Sequence, residues 1–388
     1  MTAVSAPDHI IPTYKRWPVT FVEGSGARLV DADGRSYIDC VAGIAVASVG
    51  HAHPRVAAAI AGQAYRLVHV SNLYATEPQR LLAERLADLS GGMLSFFCNS
   101  GAESVEAALK LARKRAHQKG ISRPRVVTAE GGFHGRTLGA LTATGQPAKR
   151  TAFGPLPEGF TYVPYGDGAA LEAAMEEDVA AVLLEPIQGE AGVIVPPDGY
   201  LATARDLCDR FDALFMLDEV QTGLGRTGRW WAHEHEGVAP DVMCLAKALA
   251  GGLPMGACLA TPSAAGAFEP GDHASTFGGG PVQSAAALAT LAVIVDEGLL
   301  ERARVAGERL SEGLLGIWPA HVVRGRGLLW AVDFDAPVAR RVAEAALERG
   351  LLVNDATPSS LRLAPPLVIA DAEVDGALEI LAEVAREV

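Results

Sequence analysis

Cysteine is scarce in this chain and never paired. Five residues, Cys40, Cys98, Cys208, Cys244 and Cys258, are scattered over 388 positions with no C-x-x-C. That spacing fits neither a disulfide framework nor a zinc site, and is what reduced, buried thiols of a cytoplasmic protein show. Long apolar runs are also missing: no stretch approaches the roughly 18 residues of a membrane-spanning helix. The opening "MTAVSAPDHIIPTYKRW" has no basic region followed by an apolar core, so a signal peptide is not expected. Positive charge is short as well. Lys and Arg number 33 against 46 Asp and Glu, a net charge of −13. The imbalance argues against a nucleic-acid partner. It also means that any anion site must be assembled locally, from arginines or helix termini.

What remains is the composition of a globular protein long enough for two or three domains, with 49% hydrophobic and 20% charged residues. Short apolar runs at 125–130, 181–186, 213–219, 241–246 and 257–261 read as strands. Periodic stretches at 104–119, 200–210 and 283–296 read as helices. This alternation predicts an α/β fold with a mostly parallel sheet covered by helices. After about residue 298 the texture changes: helices at 300–316, 337–349 and 371–386 alternate with strands at 328–334, 351–353 and 361–363, as in a smaller α+β domain. The expected division is an N-terminal segment 1–55 packing with the small domain, a large domain 56–285 and a small domain 286–388.

Three stretches carry chemistry. In "LFMLDEVQTGLGRTG" a buried strand runs into Asp218 and Glu219, and a G-x-G-x-x-G follows at Gly223, Gly225 and Gly228. The glycine pattern alone is a weak dinucleotide signal, and no convincing crossover helix follows it. The aspartate is the stronger feature, because the carboxyl end of a parallel strand faces the ligand crevice. Strand alternation sends Asp218 and Glu219 to opposite faces. In "FFCNSGAESVEAALKLARKRA" Asn99 and Ser100 are capping types before a strong helix, and Gly101 allows close backbone approach. Such an end is either a phosphate cradle or an ordinary N-cap. In "DVMCLAKALAGGLPMGACLA" Lys247 lies between two apolar strands. It is either a lysine that snorkels to the surface or a desolvated amine of lowered pKa. Together, a phosphate cradle, a strand-end aspartate and such a lysine meet the needs of pyridoxal 5′-phosphate. The pairs His51/His53 and His233/His235 invite a metal reading, but "GHAHP" fits a loop without one, and no metal is expected.

The ordered series "NSGAES", "GGFHGRTLGAL", "LEPIQGEAGVIVPPDGYL", "LDEVQTGLGRTG", "LAKALAGGLPMGA", "STFGGGP", "VRGRGLL" and "LRLAPPLVI" resembles the acetylornithine/ornithine branch of the class-III aminotransferases. The likeness runs from about Pro12 to the C-terminus. It implies the fold-type-I architecture of pyridoxal-phosphate enzymes, with a seven-stranded sheet in the large domain. It also implies a homodimer. By the same resemblance Lys247 carries the cofactor as a Schiff base and shuttles a proton, Asp218 partners the pyridinium nitrogen and Gln221 the ring hydroxyl. Ser100, Gly101 and Ala102 form the phosphate loop, Phe133 stacks on the ring, and Thr276 is lent to the phosphate across the dimer interface. Arg136 and Arg362 match carboxylate-binding arginines, and Glu190 a glutamate that masks Arg362. Tyr14 and Ile44 match substrate-contacting positions. Ile44, an apolar residue where ornithine enzymes tend to carry tyrosine, favours N-acetylornithine as donor and 2-oxoglutarate as acceptor, with ornithine, 4-aminobutyrate and N-succinyl-diaminopimelate as alternatives. Two departures from the family pattern "HGSTFGGN" stand out: Ala274 for glycine and Gly280 for asparagine.

Overall fold

A computed structural model describes residues 9–387. Its centre is a seven-stranded sheet in the order Leu94–Cys98, Gly256–Ala260, Val242–Leu245, Leu214–Asp218, Val179–Leu184, Arg125–Ala129, Phe160–Val163. Gly256–Ala260 runs antiparallel to both its neighbours, Leu94–Cys98 and Val242–Leu245; the remaining four pairings are parallel. The sequences VAAVLL and LFMLD are buried at every position, as expected of strands covered on both faces. Helices Gly101–Gln118 and Tyr200–Phe211 turn their apolar stripes onto the sheet.

The expected strands and helices are all present, with ends shifted by a few residues. Two sheet strands were not legible in the sequence, Leu94–Cys98 and Phe160–Val163. Both lie at sheet edges, where partial burial weakens the apolar signal. The Pro281–Asp296 helix runs unbroken through 285/286.

Two smaller sheets complete the chain. Phe21–Ser25, Arg28–Asp31 and Ser36–Asp39 join Leu351–Leu352, with Ile38 opposite Leu351. Val322–Arg326, Leu329–Asp333, Ser360–Leu363 and Asn354–Asp355 form an antiparallel sheet. The N-terminal segment is thereby tied by hydrogen bonds to the C-terminal part.

The G-x-G-x-x-G turn is the clasp between these parts. Gly225 and Gly228 take φ of 93° and 83°, a region open to glycine. They frame Arg226, whose guanidinium donates to the Leu328 carbonyl at 3.0 Å, the Pro365 carbonyl at 2.5 Å and Ser48 Oγ at 3.0 Å. Burial pushes the Arg226 pKa down to about 10, against the pull of Asp39. These glycines serve a buried arginine that joins three segments, and form no cradle for a dinucleotide.

Candidate active site

The sheet topology brings the site together. The carboxyl ends of five parallel strands open on one edge, and each is followed at once by a chemically distinctive residue: Ser100, Lys247, Asp218, Glu185 and the Phe133–His134 loop. They line a cavity of about 430 Å³ together with Gly101, Ala102, Arg136 and Gln221, within the usual size for a small-molecule site.

Ser100 caps the Gly101–Gln118 helix, its hydroxyl accepting from the Glu103 amide at 3.2 Å. Glu103 reaches back to accept from the backbone amide of Asn99, the residue before the cap, at 2.8 Å. The helix is 18 residues long and its free N-terminal amides face the cavity, an anion site in the physical sense. Backbones approach closely here. A Cβ on Gly135 would stand 2.7 Å from Ala102 Cβ, and one on Gly101 would meet Val220 at 3.0 Å.

Asp218 is buried. Its Oδ2 accepts from His134 Nδ1 at 2.8 Å and its Oδ1 from the Val220 amide at 3.1 Å. His134 Nε2 lies 3.3 Å from Thr128 Oγ1, whose single hydroxyl proton is donated to the Ala143 carbonyl at 3.0 Å. The Asp218 carboxylate accepts, so His134 carries a proton on Nδ1. Burial lowers its pKa, but the Asp218 hydrogen bond and the charges of Asp218 and Glu185 raise it above the ordinary histidine value. Glu219, as alternation requires, faces the other way and accepts from the His233 backbone amide and Nδ1, each at 3.0 Å.

Lys247 sits at φ 43° in the first turn after the Val242–Leu245 strand, a left-handed conformation that strains a side-chain-bearing residue and is retained where surroundings over-determine it. Burial pushes its pKa down to about 8; Glu190, Asp218 and Glu185 pull it up and Arg362 pushes it down. In cofactor-free protein the amine is half neutral near pH 8, against about 10.4 for a free lysine side chain. Competitive acetylation with acetic anhydride is expected to show Lys247 reactivity rising with a midpoint near pH 8. A midpoint above 10 would contradict the desolvated setting.

Arg362, 2% exposed, comes from the C-terminal antiparallel sheet. Its Nη1 donates to the Gly189 carbonyl at 3.0 Å, Glu190 Oε1 at 2.8 Å and Gln221 Oε1 at 3.1 Å; Nη2 donates to Asn354 Oδ1 at 2.6 Å. With its oxygen on Arg362, Gln221 keeps its amide NH₂ for the cavity. A Cβ on Gly189 would overlap the Gln221 carboxamide, so glycine is needed there. Arg136 is exposed at the cavity wall, its guanidinium 5.5 Å from the Phe133 ring centre.

Five expected residues are not among those lining this cavity: Arg362 and Glu190, joined to its wall through the Arg362–Gln221 hydrogen bond, and Tyr14, Ile44 and Thr276. Tyr14 is 76% exposed and Ile44 39% exposed; neither is among the residues lining the cavity, although Val46, two positions on, is. Thr276 is exposed on a separate small crevice with His69, Asn72 and Gln79. The space a side chain at Gly280 would use is filled by the Gln283 carboxamide, 2.6 Å from an ideal Cβ. His51 bonds Asp39 at 2.7 Å, His53 caps the Pro54–Arg66 helix, and His235 meets the Thr227 carbonyl at 3.1 Å.

Sequence reading missed His134, Glu185 and Lys149. Glu185 had the same signal as Asp218, a carboxylate ending an apolar strand. Burial pushes its pKa up to about 7, with His134 opposing and Asp218 adding to the rise, and its Oε2 accepts from the Phe133 amide at 2.9 Å. His134 lay inside a quoted motif, but nothing local pointed it at Asp218, 84 residues away.

The model of the family "Aminotransferase class-III" matches residues 11–385. The acetylornithine aminotransferase of Mycobacterium tuberculosis is 53% identical over 364 residues, 92% of this chain and 90% of its own length. The chain belongs to the class-III aminotransferases. Among solved structures, the ornithine aminotransferase of Toxoplasma gondii superposes with a TM-score of 0.95 at 36% identity, covering 98% of this chain and 92% of that one; it was described with partial occupancy of PLP at its active site. The acetylornithine aminotransferase of Elizabethkingia anophelis gives 0.88 at 35% identity, covering 98% and 97%. The aminotransferase thus has the fold-type-I architecture.

Proposed function

We propose that this aminotransferase converts N²-acetyl-L-ornithine and 2-oxoglutarate into N-acetyl-L-glutamate 5-semialdehyde and L-glutamate, a step of arginine biosynthesis, by a ping-pong reaction on pyridoxal 5′-phosphate. The observation that carries it is one cavity lined by a depressed-pKa lysine and a strand-end aspartate backed by His134, with the buried Arg362 bonded to Gln221 of its wall.

The residues fit the cofactor: a helix N-terminus pared by glycines for the phosphate, the Asp218 carboxylate for a ring N–H, and the uncommitted Gln221 NH₂ for a ring oxygen. When bound, pyridoxal phosphate supplies an aldehyde that takes the donor's amine and a protonated ring that takes up the electron pair left by a breaking C–H bond. Ser100, Gly101 and Ala102 hold the phosphate. Asp218 holds the proton on the ring nitrogen, and His134 fixes the carboxylate that does so. Phe133 covers one ring face. Lys247 Nζ would be the base for the proton on the donor's δ-carbon, a role suited to an amine whose pKa is near 8. Arg136 pairs with the donor's carboxylate. Glu190 keeps Arg362 neutralised in that half-reaction and releases it to the second carboxylate of 2-oxoglutarate.

Thr276 is exposed away from its own chain's cavity, which suits a residue delivered to a partner's phosphate in a homodimer. No single helix among the described residues is long and apolar enough to cross a membrane, in keeping with a cytoplasmic enzyme of small-molecule substrates. The pairing of Ile38 with Leu351 supports an N-terminal segment 1–55 that packs with the small domain; the expected boundary between 56–285 and 286–388 falls inside the Pro281–Asp296 helix. Ile44 and Tyr14 reach the substrate only if the N-terminal segment closes over the cavity.

The test is the bound cofactor's visible absorbance, followed as donors are added singly without 2-oxoglutarate. N-acetylornithine is expected to discharge it at least about tenfold faster than ornithine, whose free α-ammonium would meet apolar Ile44 without a partner. Faster discharge by ornithine or 4-aminobutyrate would overturn the choice of donor.

A further inference from the structure

Lys149 lies on the short Pro147–Arg150 helix beyond the aromatic wall of the cavity. Its ammonium stands 4.6 Å from the Phe133 ring centre, and the Arg136 guanidinium is 5.5 Å from the same ring. Its Nζ is also 4.0 Å from Glu190 Oε2, while Glu190 Oε1 is 2.8 Å from Arg362 Nη1. One carboxylate therefore stands between two cations, hydrogen-bonded to the first and just beyond hydrogen-bond reach of the second. The two cations are built differently. Arg362 is locked: without Glu190 it still donates to Gly189, Gln221 and Asn354, so it stays in place when its carboxylate leaves. Lys149 has a flexible stem with three rotatable donors and a side chain that is 25% exposed.

We propose that Lys149 receives the Glu190 carboxylate when a dicarboxylate takes Arg362, so that Lys149, Glu190 and Arg362 act as a two-position switch between the half-reactions. The proposal rests on the reading above, in which Arg362 meets the second carboxylate of the acceptor. Two carboxylates cannot share Arg362 at close range without strong repulsion. Glu190 must move, and a half-buried carboxylate is better placed beside a second cation than without one. A small rotation toward Lys149 closes the 4.0 Å separation into a hydrogen-bonded pair, so the cation at the second position selects for the acceptor's extra carboxylate without touching it. Burial lowers the Lys149 pKa; Glu190 and Glu185 oppose this, and Arg136 and Arg362 add to it. An arriving negative charge is thus welcome at Lys149. It is a positioning residue, acting through Glu190.

The holoenzyme bearing Lys149→Met tests this by two readouts. The first is calorimetric binding of glutarate, a dicarboxylate with no carbonyl to react; the second is the kinetics of each half-reaction. The Kd for glutarate and the KM for 2-oxoglutarate are expected to rise about tenfold, with kcat and KM for N-acetylornithine within about twofold of wild type. Lys149→Arg should restore both. In a Glu190→Gln background there is no carboxylate to receive, so adding Lys149→Met should change the glutarate Kd less than about twofold. Equal weakening of both half-reactions would overturn the switch and make Lys149 a general anion contact. An undiminished effect in the Glu190→Gln background would overturn it too, because Lys149 would then touch the dicarboxylate itself. A wild-type enzyme that neither binds glutarate nor is recharged by 2-oxoglutarate would overturn the aminotransferase reading of Arg362 rather than the geometry of the switch.

Discussion

Replacing Lys247 by alanine is expected to lower kcat by about 10⁴-fold or more, with the fold intact. The side chain is asked to do two things that nothing nearby can substitute for: to hold the cofactor's aldehyde carbon and to carry a proton between two carbons. Lys149 lies beyond the Phe133 ring, outside the residues that line the cavity; the other cations are Arg362, fully engaged by four acceptors, and Arg136, exposed at the rim. Guanidinium groups do not give up a proton near neutral pH, so neither can act as base. Folding should survive, because alanine removes a buried amine whose charge the site disfavours. The check is single-turnover kinetics with N-acetylornithine, joined to borohydride reduction and peptide mass spectrometry. Wild type should carry the cofactor's added mass on the peptide containing Lys247, and the variant should carry it nowhere. Retained turnover within about a hundredfold of wild type would refute the assignment.

Asp218→Asn is expected to cost about 10²- to 10³-fold in kcat, comparable to removing one preorganised electrostatic contact in an active site. Asparagine keeps the shape but has a single acceptor oxygen, so it can keep only one of the bonds from His134 Nδ1 and the Val220 amide; the change removes the charge together with one acceptor. A neutral carboxamide cannot hold a proton on the ring nitrogen, and it leaves Glu185 as the remaining anion acting on His134. His134 is then expected to lose its second proton more readily, because the hydrogen bond and charge of Asp218 are what raise its pKa. The sign can be followed by NMR of the ring nitrogens: in wild type both stay protonated as pH rises past the ordinary histidine range, and in the variant deprotonation moves to lower pH. Asp218→Glu should not rescue the rate, since the longer chain displaces the carboxylate from the position set by the strand end. Full activity in Asp218→Asn would mean that the ring nitrogen has another partner.

Much of the large domain was legible because its strands are local apolar runs buried on both faces, such as Val179–Leu184 and Leu214–Asp218. Asp218 and Lys247 stood out for the same reason: charged residues that end such runs are conspicuous. Leu94–Cys98, which leads into the phosphate loop, was not called, since its first three positions are exposed or half-buried. The glycine-rich turn misleads a local reading. Its left-handed glycines serve Arg226, whose acceptors come from Ser48, Leu328 and Pro365, contacts spanning 102 to 178 residues that no local pattern announces.

The amino-acid order by itself determined the elements, the alternation that separates Asp218 from Glu219, and the strand-end positions of the reactive groups, because these depend on neighbours within a turn or a strand. Tertiary structure alone decided which partners those groups meet. It raised the His134 pKa by aiming the ring at Asp218, with Thr128 behind it. It buried Arg362 against Gln221 and Glu190, and it set Lys149 within 4.0 Å of the same glutamate. Protonation and ion pairing fall off over a few ångströms and depend on local desolvation; they follow distances in space, which chain spacing does not encode.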